Sequence, residues 1–324
     1  MTATKTRSFA AFASRVPFRL GAVNSEIGQD LARAAYVAAA LGASDLELHS
    51  LWGKSITSLT DDEARRAREI VEARDLRVGQ ITGPAFKSAT LASVAAAGEP
   101  ETETYGQHRY VLERALALAR LLDTDRVRLF AFERPKEGIA AGTPGWRPST
   151  APTPAELETI ARGLRPLCRQ AADAGVTLLV ENVRYSYADT GAHTAAVLAA
   201  VGEANLRLIW DPANAYVSGE ARPYPDGYAA VRGYVARVHV KDACFTDRAT
   251  GATAWERVGA GEVDWVGQLG SLIESGFDGV VSLETHWKMP GASGDNAGER
   301  STLATWEGLA DALECALATS PAAH

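Results

Sequence analysis

Four residues able to bind a metal ion, Glu181, Asp211, His239 and Glu284, each close a short apolar run in the second half of this 324-residue chain. The runs read Thr177-Leu-Leu-Val-Glu181, Leu206-Arg-Leu-Ile-Trp-Asp211, Ala236-Arg-Val-His239 and Val280-Val-Ser-Leu-Glu284. Three carboxylates and one imidazole make an oxygen-rich, hard donor set, which suits Mn²⁺ or Mg²⁺ first, with Co²⁺ and Zn²⁺ also compatible. Singly, each residue has a plain explanation. A strand-end glutamate is as often solvated or ion-paired, Asp211 before Pro212 can simply start a turn, and a lone histidine is more often hydrogen-bonded than metal-bound. The conjunction carries the weight, because four such residues closing four successive strands are hard to reach by unrelated structural needs.

Residues so far apart in sequence converge only if their strands end on one face. Short runs of Leu, Ile and Val are what a parallel sheet buried on both faces requires. Strand and helix patterns alternate about eight times, with strands expected at 18–23, 45–49, 77–82, 125–130, 177–181, 206–211, 236–239 and 280–284. Helices are expected near 29–41, after Thr60, at 105–122, from Thr153 to Gly175, at 194–201, 226–234 and 264–275, and at 302–317. Thr60-Asp-Asp-Glu63 and Thr153-Pro-Ala-Glu156 have the spacing of capping boxes, in which a hydroxyl and a carboxylate satisfy free N–H groups of the first turn. The long connections (83–104, 133–152, 216–225, 244–263 and 285–300) mostly follow strands, which gathers them on the carboxyl face. These patterns predict an α/β fold, a single-domain (β/α)8 TIM barrel over residues 18–318, behind a loose tail at 1–17. An open doubly wound sheet would want a glycine-rich turn after the first strand, and Asn24-Ser-Glu-Ile-Gly28 is not one.

Second-tier candidates lie near the same face. His49 ends the second strand beside Trp52-Gly53-Lys54. Lys241 lies two positions beyond His239, and His286 two beyond Glu284, which puts each on the same side of its strand as the presumed ligand. Arg257 lies with Arg248 in the connection after the seventh strand, where many barrels hold phosphate. His49, Lys241, His286 and Arg257 are accordingly read as substrate contacts, against the alternative of ordinary structural or solvated side chains. Trp146 and Arg147 sit in a proline-rich connection that reads as a surface loop more readily than as a lid.

Composition excludes several classes of partner. A formal charge of −7 with scattered basic residues argues against nucleic acid, whose phosphates are held by clustered Lys and Arg. No apolar run approaches the roughly 20 residues that span a bilayer. Three cysteines without CxxC spacing suit reduced thiols and hence a cytoplasmic location.

Glu181-Asn182, Asp211-Pro-Ala-Asn214, His239-Val-Lys-Asp242, Gly259-Ala-Gly-Glu-Val-Asp264-Trp and Ser282-Leu-Glu284 resemble the signatures of the xylose isomerase-like TIM barrels. That superfamily includes sugar and sugar-phosphate isomerases, ketose 3-epimerases, dehydratases and an apurinic endonuclease branch. The resemblance implies that Glu181 and Glu284 both bind the metal and move protons, making them the catalytic pair. Several epimerases carry a substrate-contacting histidine where this chain has Asn214, whose amide can still bond a sugar hydroxyl but carries no charge. The extra histidines of the endonuclease branch are missing. The expectation is therefore a metal-dependent sugar isomerase or epimerase working through an enediolate, on a small-molecule sugar, with a homo-oligomer or a partner subunit compatible with it. The alternative keeps fold and metal but eliminates a β leaving group: a lyase or dehydratase of keto-sugars or cyclitols, including deglycosidase-type cleavage of oxidised glycosides. A barrel that only binds sugar is the non-enzymatic reading.

Overall fold

In the computed structural model, which describes residues 6–319, eight parallel strands close on themselves. They are β1 (Arg19–Val23), β2 (Asp45–Leu48), β3 (Arg77–Ile81), β4 (Arg126–Leu129), β5 (Thr177–Glu181), β6 (Leu206–Trp210), β7 (Val235–Val240) and β8 (Val280–Leu283). Each pairs with its sequence neighbours, and β1 completes the ring against β8, with Arg19 opposite Val280 and Ala22 opposite Leu283. The chain is thus a (β/α)8 TIM barrel.

Around the ring lie α1 (Leu31–Leu41), α2 (Asp61–Glu72), α3 (Glu103–Leu121), α4 (Pro154–Asp173), α5 (Gly191–Val201), α6 (Tyr228–Val231), α7 (Trp265–Glu274) and α8 (Ala297–Thr319). Both capping boxes form: Thr60 with Glu63 opens α2, and Thr153 with Glu156 opens α4. Alternation along the strands divides the core. Leu20, Leu46, Leu178, Leu208, Val238 and Val281 are buried in the apolar layer beneath the helices. Residues of the other parity, among them Glu47, Arg237, His239 and Ser282, meet inside the barrel. Arg237 fits there because two glycines leave room: a Cβ on Gly21 would lie 2.5 Å from Ser282 Oγ, and one on Gly79 would lie 2.9 Å from Arg237 Nη2.

Three expectations need correction. The loose tail does not hold for residues 7–16. Phe9 and Phe12 pack edge-on against Trp306 of α8 with centroids 6.2 Å away, and the Arg7 guanidinium pairs with Glu307 at 2.8 Å and Asp311 at 2.7 Å. Residues 1–5 of that expected tail lie outside the described residues. The connection 244–263 is not a plain loop but carries an antiparallel hairpin, Asp242–Asp247 with Ala252–Glu256. The helix expected at 226–234 shrinks to α6, after a wide turn at Pro223–Gly227.

The hairpin also organises the neighbouring loops. Trp146 packs on its Phe245 at 5.7 Å, Gly142 N–H donates to Thr250 O at 2.8 Å, and Arg184 donates to Gly251 O at 2.8 Å. The connections after β4, β5 and β7 are thereby tied together above the barrel mouth. No helix among the described residues is long and apolar enough to cross a membrane.

Candidate metal centre

Each of the four strand-end residues is held by its local fold before any ion is considered. Glu181 is the last residue of β5, and His239 lies one residue before the end of β7. Glu284 follows β8, its N–H continuing the ladder to Val240 O at 3.0 Å. Asp211 follows β6 and caps the short helix Pro212–Val217: its Oδ1 accepts from Asn214 N–H at 2.8 Å. The turn-starting role of an Asp-Pro pair and a role at the barrel mouth therefore coexist, because each uses a different oxygen. Asn182 fixes the junction by clamping the Asp211 backbone, donating to its carbonyl at 2.8 Å and accepting from its N–H at 2.7 Å.

One donor atom from each of Glu181, Asp211, His239 and Glu284 lies within 4.8 Å of the others, and all four residues are buried. An ion with bonds of about 2.0–2.4 Å spans about 4–5 Å across its centre, so the donor set matches the reach of one divalent cation. Asp211 adds a second fit. Its buried Oδ2 has no hydrogen-bond donor, for although the Lys241 ammonium is 2.9 Å away it lies off a hydrogen-bonding direction. His239 presents Nδ1 to Glu284 Oε2 at 3.1 Å and Glu181 Oε1 at 3.4 Å, while Nε2 faces Glu47 Oε2 at 3.1 Å.

The surrounding charges explain how so many acids tolerate burial. Arg128 of β4 binds Glu181 Oε2 at 2.6 Å; Lys241 contacts Glu284 and Asp211; Arg237 binds Glu47 Oε1 at 2.9 Å. Burial and Glu284 push the Glu181 carboxyl up, but Arg128 and His239 outweigh them and hold it at about 2. Burial also opposes ionisation of Glu284, yet Lys241 and His239 keep it well below the usual carboxylate range. For Asp211 burial wins, with Glu284 and Glu181 adding to it against Lys241, and its pKa rises to about 6. His239 resists burial because Glu47 and Glu284 favour its cation, which raises it well above the ordinary imidazole value. In the metal-free protein the cluster thus sets anionic carboxylates against Arg128, Lys241 and imidazolium.

A pocket of about 160 Å³ opens onto this cluster, and its walls include Glu181, Glu284, Asn214, His49, Lys241 and His286. Asn214 donates to Glu181 Oε1 at 3.2 Å, so its amide also steadies a cluster residue. His49 is oriented by Ser25 Oγ, 3.2 Å from its Nδ1, and burial followed by Arg128 lowers its pKa. His286 stands edge-on to Trp255 of the hairpin at 5.1 Å, and Lys241, then burial, lowers it to about 4. Arg257 departs from expectation: it is not in the pocket wall, and its Nη1 lies against Gly308 of α8, 3.2 Å from where a Cβ would stand. It directly follows the hairpin strand Ala252–Glu256 rather than lying in an open loop.

Glu47, Arg128, Lys87 and Glu26 escaped the sequence reading although Arg128, Lys87 and Glu26 line the pocket and Glu47 backs His239. A signal existed for two of them. Asp45, Glu47 and His49 share one parity of β2, as do Arg126, Arg128 and Phe130 in and after β4, and charged residues at alternate positions of a buried strand mark its lumen side.

Residues 35–307 match the family described as Xylose isomerase-like TIM barrel, and the chain belongs to that family. Among solved structures it is similar to an L-ribulose 3-epimerase (16% identity, TM-score 0.67, covering 94% of this chain and 99% of that one). It is similar also to the probable 3-DHS dehydratase AsbF involved in petrobactin synthesis from Bacillus anthracis (17%, 0.65, 90% and 99%). A third is a xylose isomerase-like TIM barrel protein from Mycobacterium smegmatis in complex with magnesium (18%, 0.62, 93% and 99%). No curated protein matches the sequence.

Proposed function

We propose that this protein is a divalent-metal-dependent enzyme that removes a proton from a carbon next to a carbonyl, isomerising or epimerising a small sugar or sugar derivative. The observation that carries this reading is the convergence of four buried donor atoms within 4.8 Å, two of them from residues, Glu181 and Glu284, that line a pocket. Glu181, Asp211, His239 and Glu284 would hold the ion, with Mn²⁺ or Mg²⁺ favoured by the donor set. When bound, such an ion stabilises the negative charge of an enediolate by several kcal/mol. The chain's own groups supply the rest. Lys241 stays charged beside the carboxylates, Arg128 pairs with Glu181, Asn214 offers an amide to hydroxyls, and His49 and His286 face the pocket as neutral imidazoles able to take or return a proton.

The alternative, metal-dependent elimination from a keto-sugar or cyclitol, has a specific observation in its favour. Glu181 is fastened to Arg128 at 2.6 Å and Glu284 to Lys241, so neither carboxylate readily holds a proton to deliver. Inversion at carbon needs an acid on the second face, whereas elimination of a group that departs as a stable anion needs only the base. Both readings begin with the same C–H cleavage. Incubation of Mn²⁺- or Mg²⁺-loaded protein with ketoses, 3-keto-sugars and their acidic derivatives in D₂O is expected to place deuterium on carbon, and chelation to stop it. Label in an isomeric sugar supports epimerisation or isomerisation, and loss of water or an aglycone supports elimination. A true substrate converted without C–H cleavage and without metal would sink both.

A further inference from the structure

The pocket wall carries both acids and cations. The acids of the cluster meet Arg128 at 2.6 Å through Glu181, and beyond it Lys87 and Arg128 share the ring of Phe130, with Lys87 Nζ 5.4 Å and Arg128 Cζ 4.7 Å from its centroid. Arg128 is nearly fully buried and fully engaged, with Glu181 at 2.6 Å and the carbonyls of Thr82 and Gly83 at 3.2 and 3.4 Å. Lys87 is different. Exposed at the rim, it makes no ion pair and no side-chain hydrogen bond among the described residues. The nearby acids are already taken: Glu181 by Arg128, Glu284 and Asp211 by Lys241, and Glu26 by the His286 N–H at 3.0 Å with Lys288 at 3.8 Å.

The turn that carries Lys87 is built to keep it there. Phe86 just before it adopts φ 62°, a left-handed conformation disfavoured for a bulky residue, and is completely buried. Its ring is wedged between Tyr105 at 5.2 Å, His108 at 5.4 Å and Phe132 at 5.4 Å, and its N–H donates to His108 Nδ1 at 3.2 Å. The Lys87 N–H closes the turn on Pro84 O at 3.1 Å. Strained backbone of this kind persists where the surroundings over-determine it, and it gathers at ligand-binding positions. Two like charges on one aromatic ring repel each other, the Lys87 ammonium and the Arg128 guanidinium both lying within 5.4 Å of the Phe130 centroid. An anion at Lys87 reverses that penalty.

We propose that the substrate carries an anionic group, a carboxylate or a phosphate monoester, which binds Lys87 in the wall of the pocket that opens onto the four-residue cluster. This rests on the reading of the pocket as a site for small polyhydroxylated substrates and adds a charge to their description. It also makes Lys87 a specificity-determining residue that a neutral ketose leaves unused.

Unreactive probes test this apart from turnover. Erythritol, erythronate and erythritol 4-phosphate share a four-carbon polyol and differ in charge; their affinities for the Mg²⁺-saturated protein are read by calorimetry. A charge-assisted hydrogen bond predicts that at least one anion binds about tenfold or more tighter than erythritol, and whichever does so identifies carboxylate or phosphate. Lys87→Gln is expected to reduce that preference to about twofold or less with Mg²⁺ affinity unchanged, and Lys87→Arg to keep it. Equal affinity for the three probes, no detectable binding of either anion, or a preference that survives Lys87→Gln would overturn the proposal. Because erythritol and its derivatives carry no carbonyl, that failure leaves the deuterium experiment untouched, and absence of C–H exchange leaves this result standing.

Discussion

His239 Nε2 and Glu47 Oε2 meet at 3.1 Å inside the barrel, although 192 residues separate them in the chain. This contact fixes which nitrogen of the imidazole faces the cluster. With Nε2–H donated to Glu47, the Nδ1 lone pair is left toward Glu181 and Glu284, the arrangement by which a carboxylate orients a metal-binding histidine. Arg237 in turn holds Glu47 as an anion: burial opposes ionisation, but Arg237 and His239 keep its pKa at about 2. Glu47→Gln retains an acceptor but removes the charge, so we expect metal affinity to fall by about 10–100-fold. Leaving Arg237 short of a buried partner is expected to lower stability by about 3 kcal/mol or more. Metal titration and chemical denaturation measure the two effects, and unchanged metal affinity would remove Glu47 from the site.

Metal binding is expected to release protons, with a pH dependence set by two groups. His239 has a raised pKa in the metal-free protein, so its cation stabilises that state fully below its ordinary pKa of about 6.5 and the contribution is lost as pH rises through the raised value. A ligand must be neutral at nitrogen, so the ion competes with that proton. Affinity should therefore rise about tenfold per pH unit until His239 has titrated. Below about 6 Asp211 is protonated as well, and the slope should approach two protons per ion. Calorimetry in buffers of differing ionisation enthalpy counts the protons directly, and a flat affinity between pH 5 and 8 would contradict the assignment of His239.

What was legible in the sequence follows from which physical signals are local. Buried parallel strands such as Thr177–Glu181 and Val280–Leu283 announce themselves by nearly continuous Leu, Ile and Val, and the residue that breaks the run, such as Glu181 or Glu284, marks the strand end. Capping at Thr60 and Thr153 is equally local. The hairpin at Asp242–Asp247 and Ala252–Glu256 is not legible because its burial runs from buried at Asp242 and Ala243 to exposed at Asp247 on one strand and stays intermediate along the other, without the regular alternation that marks a strand. The alternate spacing of Glu47, Arg128 and Arg237 marks a lumen side but not what each residue meets there. Their partners lie on other strands, 190 residues away for Arg237 and Glu47, and only barrel closure brings them together. Lys87 carries no sequence signal, since its position depends on the strained turn at Phe86.

Glu220, away from the pocket, provides a test of the fold's pH response. It accepts from the Gly191 N–H at the start of α5 at 3.0 Å, and burial raises its pKa to about 7. An acid whose folded pKa exceeds its unfolded value stabilises the protein only while protonated in the folded state. Stability should fall as pH rises from about 4.5 to about 7, and stay reduced above that. Glu220→Gln keeps the shape and removes the titration. We expect the difference between variant and wild type, measured by denaturant unfolding, to favour the variant by about 1–3 kcal/mol more at pH 8 than at pH 4.5. A pH-independent difference would mean that Glu220 ionises in the folded state as it does in the unfolded chain.

Substitutions at Glu284 and His286 separate ligation from proton movement, because the two side chains share a strand end and a pocket but only one belongs to the four-atom cluster. Glu284→Gln preserves volume but removes the charge that balances Lys241 and His239, so the metal should bind far more weakly and turnover should fall by a factor of about 10³ or more. His286 Nε2 stands 4.0 Å from Glu284 Oε1 and outside the cluster, so His286→Ala should leave metal content unchanged. A drop in turnover of about 10²–10⁴-fold in that variant, with metal retained, would give His286 a proton-transfer role. Metal analysis of the purified variants, set beside deuterium exchange under metal saturation, reads both quantities on the same samples. Wild-type metal content and activity in Glu284→Gln would show that the ion, if it binds, is held elsewhere.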